Sequence, residues 1–400
     1  NENVLQMSDM EKSEKSLNMA FERVIYIYTT NPSFSYRLVS LLLAKGEFFM
    51  DKKVTYHEQT DVENTLRLRD VLKTLPPFCK DFFRAIEPRT TTKTRISYAY
   101  DIRIFFQFLL EQNPAFRDWS IDAFTVDVLD QLTAVDLEEY EEYLKVYQAG
   151  DKTETNGERG LKRKMSSLRS FYAYYFKREM IHTNPTVLVD VPKIHQKSII
   201  RLEADEVALL LDYIEHGGDD LTGQKKVYYE KNKDRDLALV TLLLGTGVRV
   251  SECVGLDIED VDFKNNGIKV TRKGGNEMVV YFGPEVEKAL KNYLEVRKNI
   301  IPVEGHEHAL FYSTQRKRIG VQAVENLVKK SARQVTTTKK ITPHKLRSTY
   351  GTALYQETGD IYLVADVLGH KDVNTTKKHY AALDDSRRRQ AATAVKLRED

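Results

Sequence analysis

Four hundred residues suffice for two or three domains with buried cores, and no apolar run approaches the roughly 18 residues of a membrane-spanning helix. Lysine and arginine (61) nearly balance aspartate and glutamate (59), so the net charge of +2 marks no partner, and any basic surface must come from distribution. The hydrophobic content of 41% excludes a disordered chain, and two distant cysteines, Cys79 and Cys253, imply neither a disulfide framework nor a cysteine zinc site.

Residues 1–86 are the least informative stretch. Helical patterns run over about residues 14–28 and 35–48, separated by the turn Asn31-Pro32, and a third is expected at 62–75 before Pro76-Pro77 stops it. The opening Asn1-Glu2-Asn3 is not a signal-peptide pattern, and a cytoplasmic protein is expected. No repeat, metal-ligand spacing or phosphate loop occurs here, so the stretch reads as an N-terminal helical extension.

Residues 87–196 read as a helical domain ending in a linker. Thr90 to Thr92 offer N-caps, and Ile96, Ala99, Arg103, Phe106 and Leu110 mark a helix with an aromatic inner face. A second helix is expected over 136–147, with Leu137, Tyr140 and Leu144 at helical spacing. A third, over 156–178, carries Arg159, Lys162, Arg163, Lys164, Arg169, Lys177 and Arg178 against the single acid Glu158. Leu161, Met165, Leu168, Tyr172 and Tyr175 form its buried stripe, which leaves the cations off that stripe for phosphate contacts or simply for solvent. Residues 186–200 have no long periodic pattern and look extended.

Residues 197–400 form the larger domain, mainly helical with a small sheet. A helix is expected over 203–215, then a polar loop over 217–226, then a strongly apolar helix over 234–244. That helix runs into Gly245-Thr246-Gly247-Val248-Arg249, where two glycines place Arg249 on a tight turn suited to gripping an anion. Short strands are expected at 258–263, 267–271 and 278–282, with Lys273 at a hairpin turn. Helices follow at 284–298 and 320–331, around a short strand expected at Leu310-Phe311.

The closing stretch, residues 341–381, concentrates chemistry. Pro343 suits the first helical position, so His344 lies in a first helical turn, where the helix dipole favours anions, and Arg347 lies one turn on. A helix over 360–368 ends at Gly369, His370 follows at the turn, and a short helix over 373–380 carries Tyr380. A core does not need this set of polar groups; an enzyme handling a phosphodiester does.

Arg249, Lys273, His344-Lys345-Leu346-Arg347, Leu368-Gly369-His370 and Tyr380 resemble, in order and spacing, the signature of the tyrosine recombinase (lambda-integrase-like) family, and the Xer type most closely. The resemblance covers about residues 65–390. It implies a multidomain C-shaped clamp on double-stranded DNA, with residues 87–196 as the core-binding domain and the basic helix in the major groove. It implies a metal- and cofactor-free reaction: Tyr380 attacks the scissile phosphate to form a 3′-phosphotyrosyl bond. Arg249 and Arg347 would clamp the non-bridging oxygens, Lys273 would protonate the 5′-oxygen, and His344 would accept the tyrosine proton. His370 would donate a hydrogen bond to the phosphate, and Glu252 would orient the site. Arg159, Lys162, Arg163, Lys164 and Arg169 are the expected DNA contacts. Recombination sites in DNA and further copies of the chain are the implied partners: a monomer in solution or a dimer on one site, and a tetramer in synapsis with a Holliday-junction intermediate. The setting would be the bacterial cytoplasm at the nucleoid, with chromosome dimer resolution and mobile-element integration both open. A type IB-like topoisomerase and a catalytically silent DNA-binding regulator share parts of the pattern. Tyr350, Tyr355 and Tyr362 are rival tyrosines expected to pack, and residues 381–400, with Arg387-Arg388-Arg389 and the stretch 391–397, are expected to form a C-terminal helix.

Overall fold

A computed structural model of the chain describes residues 55–195, 199–272, 275–370 and 373. The helices expected before residue 50, the side chains of Lys273 and Tyr380, and everything expected beyond 373 lie outside the described residues. The described residues beyond Arg67 belong to one compact unit.

The first helix among the described residues, α1, spans Tyr56–Leu72, and the turn before Pro76-Pro77 hands the chain to α2 (Cys79–Ile86). Helix α3 (Thr92–Gln112) starts at Thr91, whose side chain accepts from the Thr94 amide. Helix α4 (Ala134–Lys145) starts with a reciprocal capping box between Thr133 and Asp136. It stops short of Tyr147, because strands β1 (Val146–Ala149) and β2 (Lys152–Thr155) form an antiparallel hairpin that the sequence did not suggest. Gly150, at φ 63°, makes its two-residue turn. Helix α5 (Glu158–Lys177) is the basic helix.

These elements share one apolar cluster that runs from Leu68 to Val189. Aromatic edges knit it: Phe82 meets Phe171 at 5.2 Å between ring centroids, and Phe105 meets Tyr140 at 5.2 Å. Packing is continuous across Glu87, so the boundary expected at residue 86 is not a break in the core: Leu68, Phe82 and Ile86 lie in the same cluster as Ile102 and Tyr172.

Helix α6 (Ala204–His216) opens the second region, followed by α7 (Gly223–Thr246), α8 (Val250–Gly255), α9 (Pro284–Arg297), α10 (Val321–Val335), α11 (Pro343–Thr358) and α12 (Ile361–Leu368). Helix α7 is central and packs on α6, α9 and α11. It begins eleven residues before the apolar stretch at 234–244, and that added length is mostly exposed. Strands β3 (Val261–Asp262), β4 (Gly267–Thr271) and β5 (Glu277–Tyr281) form one antiparallel sheet in that order, with Ile268 opposite Val280. The strand expected from residue 258 is instead a 3-10 turn, Ile258–Asp260, fixed by a capping box between Asp257 and Asp260. Leu310-Phe311 is not a strand; only single bridges at Ala309 and Tyr312 flank it. No described helix is long and apolar enough to cross a membrane.

Candidate active site

The site is built around two left-handed glycines. Gly247 ends α7 at φ 62°, and a Cβ there would overlap the ring of Tyr350 and crowd Leu368, so both backbone angle and space call for glycine. Two residues on, Arg249 caps α8. Its amide donates to Glu252 Oε2 (2.8 Å) and its Nη1 to Glu252 Oε1 (2.6 Å). Glu252 is buried, while the Arg249 side chain is 37% exposed. A buried carboxylate thus fixes the arginine from two directions and leaves part of its fork open.

Gly369 ends α12 at φ 61°. Asp360 caps the start of that helix, accepting from the amides of Tyr362 and Leu363. At its end the Gly369 amide donates to Asp366 O (2.8 Å) and the His370 amide to Ala365 O (2.9 Å), the Schellman arrangement. The next three carbonyls are each taken by an arginine from a different element. Arg272, just past β4, donates Nη2 to Val367 O at 2.7 Å. Arg347, on α11, donates Nη2 to Leu368 O, and Arg249 donates Nη2 to Gly369 O at 3.4 Å. The negative end of a helix favours such cations.

Arg347 is 4% exposed, and its Nη1 also donates to Gly247 O at 2.5 Å. It therefore ties the ends of α7 and α12 together. His344 is exposed in the first turn of the same helix, and His370 is half-buried on the turn after Gly369. Thr342 stands at the N-cap position of α11, but its side chain makes no capping bond. The structure thus gathers Arg249, Glu252, Arg347 and the His370 turn into one place and puts His344 on the Arg347 helix. Arg272 was not nominated from the sequence. Its only signal there was its place immediately before Lys273.

The tyrosines expected to pack behave differently from one another. Tyr355 is buried, and Tyr350 is half-buried beside Gly247, where burial raises its pKa. Tyr362 is 71% exposed, so the packing expectation fails for it, because α12 buries only the face of Val364, Ala365 and Leu368.

The five cations nominated on α5 also divide. Arg159, Lys162 and Arg163 are exposed. Arg163 pairs with the buried Asp101, which also accepts from Ser167 Oγ (2.7 Å). Lys164 is 7% exposed, donates to Asn156 Oδ1 (3.2 Å) and lies 4.0 Å from Asp101. Arg169 donates Nε to Thr186 O (3.1 Å) and Nη2 to Val189 O. Lys164 and Arg169 are therefore corrected from phosphate contacts to internal ties. Lys164 falls on the buried stripe, three after Leu161 and four before Leu168, a signal the spacing already held. Among the described residues, no group of three or more His, Cys, Asp or Glu is placed to hold a metal ion.

The sequence pattern of the phage integrase family matches residues 201–387. The tyrosine recombinase XerC of Caldanaerobacter subterraneus subsp. tengcongensis is 34% identical over 337 residues, spanning 81% of this chain and 88% of the relative. The tyrosine recombinase XerS of Streptococcus uberis is 29% identical, spanning 78% of this chain and 94% of the relative. Among solved structures, the XerH site-specific recombinase bound to palindromic difH substrate shares the fold, with a TM-score of 0.60 at 20% identity over 86% of this chain and 91% of that one. Identity at the level of the first relative, along most of its length, settles the matter: the chain belongs to the tyrosine recombinase (phage integrase) family.

Proposed function

We propose that this tyrosine-type site-specific recombinase breaks and rejoins DNA strands with Tyr380 as its nucleophile. The observation that supports the reading is the anchoring of Arg249 and Arg347 on adjacent carbonyls of one turn, Gly369 O and Leu368 O. Two guanidinium groups held by backbone need little reorganisation to meet a charge that develops on a phosphate.

In the proposed reaction the Tyr380 oxygen attacks the scissile phosphorus and its proton passes to His344. A free tyrosine has a pKa of about 10 and needs such help. The bond to the 5′-oxygen breaks, and Lys273 gives that oxygen a proton. Arg249, Arg347 and His370 neutralise the non-bridging oxygens, and Glu252 holds Arg249 in place. The 3′-phosphotyrosyl bond retains the phosphodiester energy, so attack by another strand's 5′-hydroxyl restores DNA without ATP. Exchange of one strand pair leaves a Holliday junction, which calls for four protomers: a dimer on each site and a tetramer in synapsis. The lobe that begins near Leu68 would hold the duplex through Arg159, Lys162 and Arg163, and residues 199–400 would supply the chemistry. The setting is the bacterial cytoplasm, at the nucleoid.

The test is a nicked suicide duplex carrying a site that the full chain selects from a random pool. Tyr380→Phe is expected to bind it and form no covalent adduct; an adduct formed by that variant refutes the assignment. Lys273→Ala is expected to recover cleavage on a 5′-thiolate leaving group, which needs no proton. Equal damage on both substrates removes Lys273 from the general-acid role.

A further inference from the structure

We propose that Arg272 is a positioning residue of this recombinase, holding the Leu368-Gly369-His370 turn so that Arg249, Arg347 and His370 face the phosphate together. The inference rests on the site reading given above and adds a residue to it.

Arg272 is fixed at its base. Its amide donates to Asn276 O at 2.7 Å, and its carbonyl accepts from the Gly275 amide at 3.0 Å, so the backbone is pinned where β4 turns toward β5. From there the side chain crosses to the end of α12 and donates Nη2 to Val367 O at 2.7 Å. Its Nε and Nη1 are buried with no acceptor among the described residues. Burial pulls its pKa down, with the Glu252 carboxylate opposing that shift. A buried guanidinium with two idle donors is costly, so hydrogen bonding alone does not account for its place.

Shape does. A Cβ on Gly369 would overlap Nη1 and Cζ of Arg272, so the flat guanidinium lies directly on the glycine. Gly369 is thus required twice, by its left-handed φ and by the arginine that covers it. The plane of Arg272 lies against the turn whose next carbonyls hold Arg347 and Arg249. The Arg249 bond to Gly369 O, at 3.4 Å, is long, and it is the contact most exposed to a shift of the turn. A lysine keeps the charge of Arg272 but not the plane that fills this space.

The experiment uses the full chain and the selected, nicked suicide duplex. Single-turnover adduct formation at saturating protein is measured beside the duplex Kd and thermal unfolding. Arg272→Ala is expected to slow cleavage roughly 10- to 100-fold, the scale of a small misplacement of catalytic groups, while the Kd holds. Arg272→Lys is expected not to restore the rate. Gly369→Ala is expected to slow cleavage as well, and the double variant to be no slower than the slower single, since both act on one contact. Wild-type cleavage by Arg272→Ala, full restoration by Arg272→Lys, or losses that multiply in the double variant overturn the proposal. If Arg272→Ala does not fold, Arg272→Lys decides alone: slow cleavage supports the role and a wild-type rate overturns it. A wild-type chain that forms no adduct, or a Tyr380→Phe chain that does, refutes the site reading instead. With a Tyr380-dependent adduct in hand, an unaffected Arg272 variant overturns this inference only.

Discussion

Helix α5 and the turn after α12 are both rich in cations, yet they use them in different ways. On α5 the cations divide by helical position: Arg159 and Lys162 face outward, Arg163 is exposed but pairs with the buried Asp101, and Lys164 and Arg169 reach into their own lobe. Around the α12 turn the arginines come from three separate elements and converge on consecutive carbonyls. A run of positive residues on one helix says little about where each points. Arginines that are far apart in sequence are placed instead by the consecutive carbonyls of one turn that each of them meets.

Breaking the second region should have the largest effect. Arg347→Ala removes the donors to Gly247 O and Leu368 O and leaves both carbonyls without their arginine, which is expected to destabilise the protein by about 3–5 kcal/mol in denaturant unfolding and to abolish adduct formation. Arg169→Ala is expected to cost about 1–3 kcal/mol through the lost ties to Thr186 O and Val189 O, with the salt dependence of DNA binding unchanged. A normal stability with a reduced salt slope would return Arg169 to the DNA face.

Lys164 gives a pH signature. Burial lowers its pKa despite the neighbouring Asp101. Between its folded and unfolded pKa values the unfolded chain binds more protons, so this group adds stability as pH rises toward the unfolded lysine value of about 10.4. Lys164→Met should lose that alkaline gain relative to the wild type, measured as unfolding free energy against pH. A difference that is flat with pH would contradict it. The smallest change in stability, within about 0.5 kcal/mol, is expected for Arg159→Ala and Lys162→Ala. Each should instead lower the slope of log affinity against log salt by about 1, measured on duplex DNA.

These contrasts show what the sequence could carry. Helices α3 and α5 were legible because their buried sides are continuous, with Ile96, Ala99 and Phe106 on one and Leu161, Met165, Leu168, Tyr172 and Tyr175 on the other at helical spacing. The β1–β2 hairpin was not, because seven of its eight strand residues are exposed and no apolar alternation marks it. The first half of α7 was hidden for the same reason: solvent around residues 222–228 leaves no stripe to read. The strand expected from residue 258 was overdrawn, since local aspartate capping wins over an apolar run. At the site, Arg249 and Arg347 stood in a recognisable order, but the carbonyls that tie both to one turn left no mark in the sequence. Arg272 has no such mark, because its role comes from what its plane covers rather than from its spacing.

Helix α7 also sets a mechanical limit on the site. Its 24 residues make a rod roughly 36 Å long, solvent-facing at the start and closed at Gly247 by the Arg347 guanidinium. Each residue added to a helix turns everything beyond it by about 100°. An insertion among residues 223–228 therefore rotates only an exposed end, while one between Leu242 and Gly247 would swing the Gly247 carbonyl away from Arg347. The same rod is thus tolerant of length at one end and phase-locked at the other.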